Sequence, residues 1–351
     1  MQKRNIMINR HKLPSDLPFI KGVSELPQIA IITRDTEKMA NQLAESLNLG
    51  SFKVFSAKSP QLFNSLYDNK PENWAMKAGL TWLGNTQIEI IQPTAGQTVY
   101  DDYLNNRNQK AGIEHIFFTT DNFETTLDEF KKVGYPLKQE AQLNASGKLG
   151  IFPVPALPSF LKHLAARFGY TSTIEDLKID IELAKFPKGV SQRMALKAAI
   201  PEKWIPEKKP HFFEESPADV PFSDLDTFFI LCKNIELTVA NYAKLTDNPP
   251  KIETYNNVIL SGTGKLSRIV VGTSLMVIVQ PTDGKMMELL ESYGEGLTLL
   301  GFVPKASLDA TKNMLKSLGW EYTEHNNHII ATHNHIPFAI LVRSTSENNF
   351  V

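Results

Sequence analysis

The sequence predicts an α+β fold made of four βαβββ units grouped in two domains. Three observations predict it. A β-branched strand, an amphipathic helix and further strands follow one another in the same order four times along 351 residues. Two of the strands, Thr86-Gln-Ile-Glu-Ile-Ile-Gln-Pro93 and Leu275-Met-Val-Ile-Val-Gln-Pro281, share a sequence pattern as well as a place in that order. A proline-dense stretch over residues 187–224 separates the first pair of units from the second.

In the first unit, Pro27-Gln-Ile-Ala-Ile-Ile-Thr33 reads as a strand. Asp35 then caps a helix whose Met39, Leu43 and Leu47 recur at helical spacing. Residues 52–55, 75–83 and 86–92 complete it as strands, with a turn at Gly84-Asn85. In the second unit, residues 113–119 form a strand and Phe123, Leu127, Phe130 and Val133 line a helix that Gly134 ends. Residues 136–141 and 147–154 read as strands. An insertion at 155–176 follows, in which Ser159 caps a helix with Phe160, Leu161, Leu164 and Phe168 on its apolar face, a packed rim helix or a lid. Residues 177–184 close the unit.

The last third repeats both units more loosely. Residues 227–232, 275–281 and 294–302 are strands, residues 308–318 a helix ended by Gly319, and residues 336–342 the last strand. The expected organisation is an N-terminal extension over 1–26, a first domain over 27–186, a Pro-rich linker over 187–224 and a degenerate second domain over 225–346.

A net charge of -1 with scattered Lys and Arg excludes the basic surface that nucleic-acid binding requires. No run approaches the ~18 apolar residues of a membrane-spanning helix. The start reads as no signal peptide, so a cytoplasmic protein is expected. The single cysteine, Cys232, sits in an apolar run and reads as a buried small hydrophobe.

Candidate chemistry lies in the first half. Glu89 and His115 each interrupt an apolar strand, and Gln28 and Glu182 sit on the first and last strands. Strand alternation puts Gln28/Ala30/Ile32, Gln87/Glu89/Ile91, His115/Phe117/Thr119 and Asp180/Glu182/Ala184 each on one face. The strand ending Glu89-Ile-Ile-Gln-Pro93, then Tyr100-Asp-Asp-Tyr-Leu104, then Gly112-Ile-Glu-His-Ile-Phe-Phe118, resembles the vicinal-oxygen-chelate superfamily of glyoxalase I, methylmalonyl-CoA epimerase and the extradiol dioxygenases. The likeness is nearest to the epimerase- and glyoxalase-like branch.

That resemblance implies cup-shaped sheets with ligands on the first and last strands of each unit. Carried over, it gives Gln28, Glu89, His115 and Glu182 as a metal set, with Glu182 and Glu89 as acid/base groups. The corresponding positions of the second half, Thr227, Val277, Leu299 and residues 339–341, offer no good ligand. One divalent ion per chain is therefore expected, in the first domain. One imidazole among oxygen donors suits Zn, Co, Ni, Mn or Mg; Fe fits less well, since non-haem oxygenases use two histidines and one carboxylate. The expected activity is that of an isomerase, epimerase or glyoxalase-type lyase that moves a proton next to the carbonyl of a small-molecule substrate through a metal-stabilised enolate. The alternatives are a ring-opening extradiol-type dioxygenase, or a metal-free ligand-binding protein like the bleomycin-resistance proteins. Either a monomer or a homodimer is compatible.

Other features read as structural. His325, His328, His333 and His335 lack carboxylates at ligand spacing, and Trp82, Phe117 and Trp204 read as packing aromatics.

Overall fold

In a computed structural model of the chain, the described residues are 16–143 except 24, 85 and 121, the pieces 148–149 and 152–153, and 165–187, 202–207 and 221–343 except 258–259 and 326. The first domain runs β1 (Glu25–Ile32), α1 (Thr36–Leu47), β2 (Phe52–Ala57), β3 (Leu62–Tyr67), β4 (Lys70–Pro71), β5 (Ala75–Leu83), β6 (Thr86–Ala95), α2 (Val99–Asn106), β7 (Gly112–Thr119), α3 (Phe123–Lys132), β8 (Leu137–Leu143), β9 (Lys148–Leu149), β10 (Phe152–Pro153), β11 (Ala166–Thr171), α4 (Ile174–Leu177) and β12 (Asp180–Lys185). After β13 (Lys203–Ile205), the second runs β14 (Phe222–Leu231), α5 (Ile235–Tyr242), β15 (Ile252–Asn257), β16 (Gly262–Val271), β17 (Ser274–Pro281), α6 (Gly284–Tyr293), β18 (Gly296–Pro304), α7 (Leu308–Ser317), β19 (Glu321–His325), β20 (His328–Thr332) and β21 (Ala339–Arg343).

Local chemistry sets the helix ends. The Asp35 carboxylate accepts from the Lys38 amide, and Asn122 and Asn234 cap α3 and α5 in the same way. Gly134, at φ +96°, leaves α3 in a conformation that favours glycine.

The strand order is β2-β5-β6-β1-β7-β12-β11-β8 in the first domain and β15-β16-β17-β14-β18-β21-β20-β19 in the second. In each unit the first strand pairs in parallel with the last, and the two units of a domain join antiparallel through their first strands. The fold is α+β, with two vicinal-oxygen-chelate domains in tandem.

Up to the start of the second domain, the structure departs from the sequence reading in four places. Residues 148–153 form a separate two-stranded ribbon instead of the third strand of the second unit. That place is taken by β11, so Phe168 lies on a strand and not on an insertion helix. The Leu164-to-Phe168 spacing imitates a helical turn, but Phe168 and Tyr170 alternate with Arg167 and Gly169, and pairing with β12 and β8 decides the outcome. The rest of the expected insertion helix, residues 155–164, lies outside the described residues. β3 and β4 had no counterpart in the sequence reading; β3 crosses to pair with β8 at the far edge of the first sheet. Finally, within the stretch read as linker, β13 pairs with β2 and β14 begins at Phe222.

Three apolar cores result. One lies inside the first cup, around Trp74, Tyr100, Phe117 and Tyr170, and another inside the second, around Phe229, Val277, Leu299 and Leu341. The largest joins the two convex faces, with Ile29, Ile88 and Ile116 of the first sheet in one cluster with Phe228, Ile278 and Leu300 of the second. Polar contacts stitch the same interface: Trp320 Nε1 donates to the Ser46 carbonyl at 2.6 Å and the Tyr242 hydroxyl to the Leu177 carbonyl at 3.0 Å.

Candidate metal centre

Two adjacent cross-strand rows build the site on the concave face of the first sheet. Glu89, Ala30, His115 and Asp180 are register partners across β6, β1, β7 and β12. Gln87, Gln28, Phe117 and Glu182 form the next row. Rows of this kind bring side chains on neighbouring strands within ~5 Å of one another.

The structure brings together the four side chains singled out in the sequence. Ligand atoms of Glu89, His115 and Glu182 all lie within 4.8 Å of one another. His115 Nε2 is 3.2 Å from Glu182 Oε2 and 3.7 Å from Glu89 Oε2. Gln28 donates its amide to Glu89, so turning that amide over would offer its oxygen to the same point. All four are buried, with exposures from 0% at His115 to 8% at Glu89.

Two acids that the sequence reading did not single out as site residues complete the centre. Register slips between Ala30/His115 and Ile31/Ile113, leaving Glu114 as the extra residue of a β-bulge. The bulge lets neighbouring side chains meet, and Glu114 Oε2 stands 2.5 Å from His115 Nδ1. Asp180, the register partner of His115, accepts from the Thr173 and Ile174 amides at 2.8 and 2.7 Å.

An aromatic wall covers the cluster. Tyr170 meets the His115 ring edge-on at 4.9 Å between centroids and Tyr100 lies 5.3 Å from Tyr170, with Trp74 and Phe168 behind them. Helix α2 delivers Tyr100 and Tyr103. Its close approach requires Gly112, since a Cβ there would stand 2.2 Å from the Tyr103 hydroxyl.

Burial pushes the Glu182 carboxyl up to about 7, with the charge of Glu89 adding to the rise and His115 opposing it. For His115, burial pulls downward, but Glu114, Glu182 and Glu89 outweigh it and hold the imidazole well above its usual value. Burial and then the charge of Glu114 lift Asp180 well above the carboxylate range. Tyr100 and Tyr170 are raised by burial and by the charge of Glu182.

This donor set fits a divalent cation. His115 Nε2 and Glu182 Oε2 are buried 3.2 Å apart, and neither has another hydrogen-bond partner among the described residues. The ion pairs that Glu89, Glu114 and Glu182 make among the described residues all go to His115, so acidic groups outnumber the cationic one.

The second domain serves as an internal comparison. By register, Glu89, Ala30 and His115 correspond to Val277, Phe229 and Leu299, and Gln28 and Glu182 to Thr227 and Leu341. Phe229 stands where the first sheet has Ala30, and that cup is an apolar core.

Two of the remaining sequence candidates have polar partners elsewhere in the fold. His325 bonds Ser261 at 2.8 Å, and His333 reaches Ser46 at 3.3 Å across the domain interface. Glu89, His115 and Glu182 are the one metal-capable group of His, Cys, Asp or Glu among the described residues. Cys232 is buried. Trp82 and Phe117 are buried on the concave face, and Trp204 is half-buried on β13. No helix among the described residues is long and apolar enough to cross a membrane.

Comparison with known proteins bears on the fold. Residues 27–150 match the family model of the Glyoxalase/Bleomycin resistance protein/Dioxygenase superfamily. A search of curated proteins gives no match. Among solved structures, a triple mutant of 4-hydroxymandelate synthase from Streptomyces coelicolor superposes with a TM-score of 0.58 at 13% identity, covering 94% of this chain and 95% of that one. A hypothetical protein from Staphylococcus aureus gives a TM-score of 0.47 at 10% identity, with 90% and 98% covered. A xylose isomerase-like TIM barrel/4-hydroxyphenylpyruvate dioxygenase fusion protein gives 0.49 at 8%, with 96% and 51% covered. At the identity of the synthase, the likeness is one of fold, and it extends over both domains.

Proposed function

We propose that the first domain holds one divalent metal ion on Glu89, His115 and Glu182, with Gln28 as a fourth donor, and moves a proton next to the carbonyl of a small substrate. The reaction class is that of an isomerase, epimerase or glyoxalase-type lyase. The observation that carries the reading is the donor set itself: one imidazole and two carboxylates, buried and within 4.8 Å of one another. Such a set favours Zn, Co, Ni, Mn or Mg over Fe.

A bound divalent ion supplies Lewis acidity, which polarises a carbonyl and lowers the cost of removing the neighbouring proton. The residues do the rest. Glu182, whose carboxyl burial pushes up to about 7 in the metal-free protein, is placed to take that proton and return it. Glu89, on the other side of His115, is placed to act as the second acid/base. Tyr100, Tyr170 and Trp74 keep bulk water from the cluster.

The test begins with elemental analysis of protein purified without added metal. Metal-loaded protein is then incubated with small carbonyl compounds in deuterated water, and exchange at the carbon beside the carbonyl is followed by proton NMR. Exchange that requires both the metal and Glu182 supports the reading. Oxygen uptake without exchange would show a dioxygenase instead, and protein that takes up no metal would show a binding module.

A further inference from the structure

We infer that Glu114 is a positioning residue: through His115 Nδ1 it fixes the orientation of the imidazole so that Nε2 is presented to the metal. This rests on the metal-centre reading above. Glu114 and His115 are consecutive on β7, and an unbroken strand would send them to opposite faces. The bulge brings them to the same side, where Glu114 Oε2 lies 2.5 Å from Nδ1 and both side chains are fully buried. With Nδ1 engaged, Nε2 is left toward Glu89 and Glu182. Asp180 stands on the neighbouring strand, opposite His115, and its own carboxylate is held by the Thr173 and Ile174 amides. It thereby walls in the imidazole and Glu114 from the β12 side.

The second domain shows that the acid is not there to make the bulge. β14 and β18 slip register at the equivalent place, between Phe229/Leu299 and Ile230/Leu297, and the extra residue is Thr298. The counterpart of Asp180 is Ala339. The bulge is thus present in both domains, whereas Glu114 and Asp180 are present only where a histidine stands. A carboxylate on the far nitrogen of a ligating histidine fixes its tautomer and strengthens it as a ligand, and losing that partner typically weakens metal binding about 10- to 100-fold.

The sister domain also supplies a variant compatible with the fold, Glu114→Thr. Zn(II) and Co(II) titrations by calorimetry on full-length wild type, Glu114→Thr and Glu114→Gln, at about pH 8 where ligand deprotonation is least limiting, test the role. The expected result is a loss of about 10- to 100-fold for Glu114→Thr and a smaller loss for Glu114→Gln, whose amide oxygen still accepts from Nδ1. The far-ultraviolet circular dichroism of all three proteins should match. Binding by Glu114→Thr within about threefold of wild type would overturn the inference, because that lies below the range expected for a lost outer partner. A separate arm uses metal-free protein. The His115 Nδ1 proton should resonate downfield in wild type and lose that shift in Glu114→Thr; an unchanged resonance overturns the role. If wild type binds neither metal, the metal-centre reading fails on its own and the positioning role falls with it.

Discussion

Replacing Glu182 with Gln should stabilise the metal-free protein while removing its chemistry. The carboxyl rises from an ordinary value of 4.5 to about 7, with burial as the largest cause. At about 1.4 kcal/mol for each pH unit, the ionised group costs the folded state about 3 kcal/mol. Above pH 7 the whole cost is present. Between pH 7 and 4.5 the folded protein binds a proton that the unfolded chain does not, so stability rises as pH falls and the cost fades. Gln keeps the shape without the charge, although it gives up the attraction of a protonated His115 at 3.2 Å. The net gain should be about 1–3 kcal/mol at pH 8 and should shrink toward pH 5. Urea denaturation of metal-free wild type and Glu182→Gln across that range reads it directly. Adding metal at about 1,000 times its dissociation constant should reverse the order, since wild type then gains about 4.1 kcal/mol that the variant does not. A variant no more stable than wild type at pH 8, or a gap independent of pH, would refute the argument that this carboxylate is buried at a cost.

The remaining predictions concern the same centre. Metal affinity should rise from pH 6 to pH 8, because His115 and Glu182 both hold protons more tightly than usual and must release them; calorimetry in buffers of different ionisation enthalpy should register that release. His115→Leu, which installs the residue found at Leu299, should fold with an unchanged circular dichroism spectrum and bind no metal. Ala30→Phe, which copies Phe229, should abolish metal uptake by filling the space between Glu89 and His115, and a variant that still binds stoichiometrically would show that Ala30 does not hold that space open. Trp320→Phe should cost about 1 kcal/mol in unfolding free energy through loss of the Nε1 bond to the Ser46 carbonyl.

The four-fold order of elements was legible because each unit keeps a β-branched first strand, a capped helix and a last strand, so local propensity and global topology agree. Gln28, Glu89, His115 and Glu182 were legible because alternation along a strand is a strict rule and each stands on the cup parity of its strand. Glu114 and Asp180 were not, for different reasons. Alternation sends Glu114 to the convex side, and only the register slip on β7 returns it. Asp180 has the right parity, but nothing in the sequence shows that it stands beside His115. Tyr170 was hidden with β11, whose Phe168 follows Leu164 at the four-residue spacing of a helix in the sequence. Ala30 carries no chemical signal at all; its meaning comes from comparison with Phe229, which requires the registers of both sheets.

The comparison of the two cups also explains why a charged cluster persists in only one of them. The two sheets share one order over eight strands, the same parallel pairings and the same bulge, so the backbone is indifferent to what fills the concavity. The second cup fills it with Phe229, Val277, Leu299 and Leu341, which gain from burial and need no partner. The first holds Glu89, Glu114, Asp180 and Glu182 around a single imidazole at 8% exposure or less. Such an arrangement destabilises the empty fold, and apolar replacement of buried ionic groups is often neutral or favourable. Its presence beside an apolar copy of itself is what a binding site for a cation would produce, because the ion returns at loading what the fold gives up without it. Zinc titration of the metal-free protein should therefore raise its unfolding free energy through the first domain alone, with the Leu299 cup unaffected; equal protection of both domains in hydrogen exchange would contradict that assignment.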